Sequence, residues 1–291
     1  MERATLKNYI SITKPGIILG NMISVMGGFF LASRGRVDIA LLLSTLVGIS
    51  LVIASACVLN NCVDRDLDRM MSRTRDRVLA QGLMMPKAAF FYAFVLCAGG
   101  IALLQATSNL LCVAVVQFGF VIYVVVYSIY LKRHSVHAAL IGSLAGAAPP
   151  LAGYCAVSNR FDLGAVILLL IFCLWQLPHF YSIAILHLDE YAAAKIPVLP
   201  VTHGVAATKL QMVGYILAFT VAASMLTFSG YTGYRYLAVA LASGMAWLAF
   251  AWRDYNGSDD RQWARRLFFC SISIVPILCF MMAIDFAMPA G

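Results

Sequence analysis

The stretch IALLLSTLVGISLVIASACVLNNCVDRDLD, residues 39–68, decides how the whole chain is read. Residues 39–59 carry no charged side chain. About 20 such residues, wound as a helix, cross a hydrocarbon core roughly 30 Å thick. A strand of a membrane barrel would instead alternate apolar and polar residues over about 10 positions. The run is continuous, so it predicts a spanning helix. The polar residues that follow then stand where that helix leaves the membrane.

Working outward, eight further apolar runs match it, giving nine expected spans: 17–32, 39–59, 88–107, 110–131, 138–157, 163–186, 210–229, 236–252 and 267–288. The first is short and is expected to extend past these ends. The composition agrees. Hydrophobic residues make up 62% of the 291 and charged residues 12%, against roughly 25% charged in soluble chains. Mean hydropathy is +0.86. The fold class is therefore all-α and polytopic, with residues 1–291 read as one integral membrane domain. Residues 1–14 hold no apolar core, so no cleaved signal peptide is expected. The eight cysteines lie mostly within apolar runs and include no C-x-x-C, which fits small buried side chains better than a disulfide frame or a zinc site.

The net charge is +8, but its distribution points to a membrane and not to nucleic acid. With nine spans, 17 of the 21 Lys and Arg fall on the side of the N-terminus and four on the other, namely Arg34, Arg36, Arg160 and Arg235. Such asymmetry places the N-terminus in the cytoplasm and the C-terminus outside. Ten of the 13 acidic residues share the cytoplasmic side. The functional surface is expected there.

If the second helix continues past residue 59, Asn60, Asp64 and Asp68 recur at intervals of four and share one face, about 6 Å apart per step. Asp66 points elsewhere. Two carboxylates stacked in this way repel unless a cation lies between them, and hard oxygen donors suit Mg²⁺ shared with a phosphate. The alternative is a solvated loop of mixed charge. Arg73 and Arg77 follow, and arginine forks match phosphate oxygens. A second acidic group, Asp189-Glu190-Tyr191, ends the sixth span, with Lys195 beyond it. The two groups each follow an even-numbered span, four helices apart, so they face the same side. That spacing suggests a parallel repeat around one cavity. The alternative for Asp189 and Glu190 is a helix cap.

Three histidines are candidates for more than packing. His179 lies inside an apolar run, where a polar group usually faces the bundle interior or a cavity. It is either hydrogen-bonded to a neighbour or a ligand, for example to haem iron. His134 and His137 flank the fifth span and offer the same choice. Gly142 and Gly146 form G-x-x-x-G, a signature of close helix contact, and Pro149-Pro150 are expected to interrupt that helix. Residues 254–266 read as a solvated loop.

Taken together these residues resemble a known family. Asn60-x-x-x-Asp64-x-x-x-Asp68, followed by Arg73-Thr74 and Arg77-Val78-Leu79, resembles the first aspartate motif of the UbiA-type intramembrane prenyltransferases. Thr13-Lys14-Pro15-Gly16, Tyr130-Leu131-Lys132-Arg133, the segment 142–154, Trp175-Gln176-Leu177-Pro178-His179-Phe180 and Ile196-Pro197-Val198-Leu199-Pro200 narrow the likeness to the haem-farnesylating branch. The resemblance implies a nine-helix bundle around a cytoplasm-facing cavity, in a bacterial inner membrane. It implies transfer of farnesyl from farnesyl diphosphate to a vinyl group of haem B, giving haem O for a terminal oxidase, with haem-A synthase or oxidase assembly as partners. Asn60, Asp64 and Asp68 would hold magnesium diphosphate, and Arg73, Arg77, Lys132 and Arg133 would bind its oxygens. The second motif departs from the Asp-x-x-x-Asp of relatives that use aromatic acceptors, because Ala193 stands at the second position. Asp189 and Glu190 both stay open as its carboxylate, followed by Tyr191, and Lys195 would supply charge instead. A prenyltransferase acting on a quinone precursor and a secondary transporter remain the competing readings.

Overall fold

A computed structural model describes residues 5–257 and 259–287. Among them are nine helices long and apolar enough to span a membrane. In chain order they are α1 (Pro15–Ser33), α2 (Ile39–Val63), α3 (Pro86–Thr107), α4 (Leu110–Leu131), α5 (Ala138–Ser158), α6 (Leu163–Leu186), α7 (Val205–Phe228), α8 (Tyr234–Trp252) and α9 (Asp260–Ile284). The described residues contain no strand beyond one isolated bridge, Thr232 to Phe286. The protein is thus an all-helical, multi-pass membrane protein. Arg3, counted above with the cytoplasmic charges, and Met288, the expected end of the ninth span, lie outside the described residues.

Eight of the nine spans begin within five residues of the expected start. The ninth begins seven residues early, at Asp260, so half of the expected 254–266 loop is helix. The cause is local. Asp259 caps the helix by accepting from Gln262 N at 2.8 Å, and Trp263 is buried with its Nε1 donating to the Ala251 carbonyl at 3.0 Å. One capped turn and one buried indole hold a charged segment in helical form. Hydropathy alone cannot register that.

α5 and α6 form the axis of the bundle. α5 packs on α1, α4 and α6, and α6 packs on α5, α7 and α9. α1 and α5 come so close that Cβ atoms on Gly28 and Gly153 would run into the backbone carbonyls of Pro150 and Val25. α5 runs unbroken through Pro149 and Pro150, contrary to the interruption expected from the sequence. The G-x-x-x-G pair of this helix faces side chains: Gly142 lies against the Tyr127 ring and Gly146 against the Gln176 carboxamide.

Two departures from regular helix shape the cytoplasmic end. The last turns of α4, Ile122–Leu131, are wound wide, with bonds of the i→i+5 type such as Lys132 N to Tyr127 O at 2.9 Å. Wide winding is rare, usually confined to a single turn, and is frequent at functional sites. Between the short helix Leu6–Ile12 and α1, Lys14 takes a left-handed conformation with φ 56°. A non-glycine residue there costs roughly 1–2 kcal/mol, so its placement is held by the surroundings.

Candidate active site

The acidic motif behaves as its spacing predicts. α2 ends at Val63, and a short helix, Arg65–Met70, follows. Helical bonds cross the junction, with Asp64 N to Asn60 O at 2.9 Å and Asp68 N to Asp64 O at 2.8 Å. Asn60, Asp64 and Asp68 therefore stay on one face, and all three are buried. Asp66 turns outward and takes a bidentate pair with Arg133, both contacts at 2.7 Å. Those bonds hold the Asp66 carboxyl down at about 2.

Cations crowd the inward face. Lys132 Nζ pairs with Asp64 Oδ2. Arg77 donates through one nitrogen to both oxygens of Asp68, at 2.8 and 2.9 Å. Lys14 Nζ donates to Asn60 Oδ1 at 2.7 Å, and the Asn60 amide donates to Asp64 Oδ2 at 2.8 Å and to Ser128 Oγ at 3.2 Å. Burial, followed by the nearby Arg77 charge, pushes the Lys14 ammonium down to about 8. The wide coil of α4 brings Ser128 and Lys132 onto this face together.

Asp64 is fully buried, yet its Oδ1 has no hydrogen-bond partner among the described residues. A buried, unpaired carboxylate oxygen is costly. It fits a missing cation: two carboxylates and an amide are the hard-donor set on which Mg²⁺ sits together with substrate phosphates. No three His, Cys, Asp or Glu side chains converge among the described residues, so a closed all-protein metal cage is not what these residues build.

The second acidic group divides. Asp189 is exposed and pairs with exposed Arg261. Glu190 turns toward the first motif, accepting from Ser72 Oγ at 2.7 Å, with His187 Nδ1 at 3.5 Å and its Oε2 buried without a partner among the described residues. The Ser72 hydroxyl holds the Glu190 carboxyl below its ordinary range. Tyr191 lies near Tyr127, Arg73 and Lys132, and burial raises its phenol. Arg73 is exposed and makes no ion pair among the described residues, whereas Arg133 is engaged by Asp66 and by the Val63 carbonyl at 2.7 Å. Lys195 is exposed, in a left-handed conformation.

Behind the polar face lie two adjoining hollows. A small one of about 140 Å³ is lined by Asn60, Tyr123, Tyr127, Lys132, Gly142 and Phe180. It shares Tyr123, Gly142 and Phe180 with an apolar chamber of about 590 Å³, a volume within the roughly 300–1,000 Å³ usual for ligand pockets. α1, α2, α4, α5, α6 and α9 wall that chamber. Of the three histidines singled out above, His179 lines it, while His134 and His137 are exposed at the membrane edge. His179 is stacked between the Trp175 and Phe268 rings, 5.0 and 4.9 Å away. Lys14, Ser72, Ser128 and Gln176 belong to this neighbourhood without having been singled out individually as site residues from sequence. For Lys14 a signal existed: a lysine at the threshold of a span, directly before a proline.

The arrangement offers a polyanion site with a buried carboxylate pair, opening onto an apolar hollow that excludes water. The UbiA prenyltransferase family model matches residues 21–273. A protein of Pseudomonas syringae pv. tomato, named protoheme IX farnesyltransferase, is 56% identical over 282 residues, covering 97% of this chain and 96% of its own. One of Yersinia pseudotuberculosis serotype O:1b, with the same name, is 56% identical over 281 residues, covering 97% and 95%. Among solved structures, a UbiA homolog from Archaeoglobus fulgidus bound to GPP and Mg²⁺ superposes with a TM-score of 0.75 at 14% identity, covering 95% of this chain and 99% of that one. A structure of digeranylgeranylglyceryl phosphate synthase superposes with a TM-score of 0.79 at 16% identity, covering 96% and 98%. The superpositions share the fold, and the sequence matches run through both acidic groups and nearly the whole length: the chain belongs to the UbiA prenyltransferase family.

Proposed function

We infer that this chain transfers the farnesyl group of farnesyl diphosphate to a vinyl group of haem B, with addition of water, giving haem O. The observation that carries the reading is the orphaned Asp64 Oδ1, buried among Lys14, Lys132 and Arg77 where the polar face meets the apolar chamber. The names of the relatives above half identity supply the acceptor.

Asn60, Asp64 and Asp68 would hold Mg²⁺, which neutralises charge on the departing diphosphate. Lys132 and Arg77, which pair with Asp64 and Asp68, and Lys14, which donates to the Asn60 amide oxygen, would supply donors to the phosphate oxygens. Arg73, near Tyr191 and without an ion pair among the described residues, is a further donor. Glu190, and not Asp189, is the second-motif carboxylate in this reading, because it faces the first motif. The isoprenoid tail enters the 590 Å³ chamber, whose walls keep bulk water from an allylic cation. Haem B meets the chamber on the side of His179. The basic excess on this side supports a cytoplasmic orientation of this face in a bacterial inner membrane, with terminal-oxidase assembly as the destination of the product.

Purified protein incubated with farnesyl diphosphate, offered haem B and a hydroxybenzoate side by side, tests the reading. Farnesylated haem with the hydroxybenzoate untouched is the expected result. Prenylated hydroxybenzoate, or uptake of either substrate into vesicles without covalent change, overturns it.

A further inference from the structure

Two polar side chains of the chamber take no part in the diphosphate chemistry. Gln176 and His179 stand three residues apart on α6, hence on one face, and both line the hollow. Gln176 is only 5% exposed and forms no hydrogen bond among the described residues, and its Oε1 is buried without a partner. Buried amides are nearly always paired. Its seat is specific, since a Cβ on Gly146 would collide with the carboxamide.

His179 is set by a different device. Its Nδ1 lies 2.8 Å from Ser271 Oγ, and that hydroxyl donates to the Phe268 carbonyl at 2.6 Å. A hydroxyl has one proton. With that proton committed to Phe268, His179 Nδ1 must be the donor to Ser271. The neutral ring then carries its hydrogen on Nδ1 and keeps a lone pair on Nε2. Trp175 fastens the same residue from the other side, its Nε1 donating to the Ser271 carbonyl at 2.9 Å.

We propose that Gln176 and His179 hold the water that hydrates the vinyl carbocation, with His179 Nε2 accepting its proton and Ser271 acting as the positioning residue that fixes the tautomer. This rests on the farnesyl-transfer reading. The C1–O bond of the prenyl diphosphate breaks, and its electron pair leaves with diphosphate. The vinyl π pair forms the new C–C bond to C1, leaving the positive charge on the vinyl carbon next to the porphyrin. A lone pair of the water oxygen closes the C–O bond. One O–H pair stays on oxygen as its proton passes to Nε2. Where no water is held, the same cation loses the proton of the neighbouring carbon to the released diphosphate, the C–H pair becomes the new π bond, and the product is an alkene lighter by one water.

The test uses full-length protein with farnesyl diphosphate and haem B in H₂¹⁸O, reading by mass the ratio of hydroxylated to alkene product within each reaction. Wild type gives hydroxylated product carrying ¹⁸O. Gln176→Leu removes an unpaired polar group and keeps the volume, so the fold tolerates it. It is expected to lower the ratio at least about tenfold, the scale for loss of one positioned acid–base or polar contact. His179→Phe behaves alike, and Ser271→Ala lowers the ratio while Ser271→Thr restores it. An unchanged ratio in Gln176→Leu or in His179→Phe overturns the proposal. A displaced Soret band with an unchanged ratio in His179→Phe also overturns it and assigns that imidazole to the iron. If wild type forms no farnesylated haem, the parent reading fails and takes this one with it. That outcome is recognisable because it appears before any substitution is made.

Discussion

Lys14 and Asn60, 46 residues apart, meet at 2.7 Å through an ammonium and an amide oxygen. The contact joins the threshold of α1 to the end of α2 and brings a third cation to the buried carboxylates. Lys14→Met is expected to reduce kcat/KM for the prenyl diphosphate about 10–100-fold, from roughly 1.5–3 kcal/mol for a hydrogen bond to a charged group. Lys14→Arg should recover part of the loss. Steady-state kinetics on both variants decides it.

Asp64 presents Oδ2 to Lys132, while its Oδ1 has no partner among the described residues. Asp64→Asn preserves shape but removes the charge that a divalent ion requires. Product formation should fall by about 10³-fold or more, the scale for removing a catalytic electrostatic contact, with the protein still inserted and folded. Chelation of divalent ions should do the same to wild type and be reversed by Mg²⁺. Activity of Asp64→Asn at the wild-type rate would sink the metal assignment.

Asp189 and Glu190 are neighbours in sequence with opposite surroundings. Asp189→Ala breaks an exposed pair with Arg261, a type worth about 0–1 kcal/mol, and turnover should barely change. Glu190→Ala removes the partner of Ser72 and the carboxylate facing the first motif. A loss of roughly 10²-fold in kcat is expected, in the range for a positioned polar group. Equal effects of the two substitutions on turnover would contradict this division.

Arg77 and Arg133 should separate in the same way. Arg133 serves Asp66, whose carboxyl titrates at about 2 instead of in the ordinary range. Because the folded value is depressed, this stabilisation is present above the ordinary carboxylate range and is lost as pH falls toward 2. The pair is partly exposed, so Arg133→Ala should cost less than about 1 kcal/mol, seen as a small drop in melting temperature at neutral pH that vanishes in acid. Arg77→Ala, which strips the buried Asp68 of its partner, should instead abolish most activity.

Much of this site was legible because membrane helices announce themselves by uninterrupted hydropathy, and because a period of four survives the helix junction at Asp64. The choice between Asp189 and Glu190 was not legible. Adjacent residues differ by about 100° around a helix, and the sequence does not state the phase of a short surface helix. The same holds for Lys132 and Arg133, one facing Asp64 and the other Asp66. The early start of α9 is not written in hydropathy, because its first turns are charged and owe their helicity to a cap and a buried tryptophan. The Ser271–His179 contact spans 92 residues, and only packing of α9 against α6 creates it.

The wide coil at the end of α4 makes the catalytic end sensitive to winding in a way that composition would not show. Substitutions that tightened Ile122–Leu131 to ordinary winding at constant length would leave its hydropathy and span almost unaltered. Everything after the segment would turn further around the helix axis, because each tightened residue adds more rotation, carrying the Lys132 ammonium away from its carboxylate. Insertion and trafficking would continue, and the enzyme would be silent.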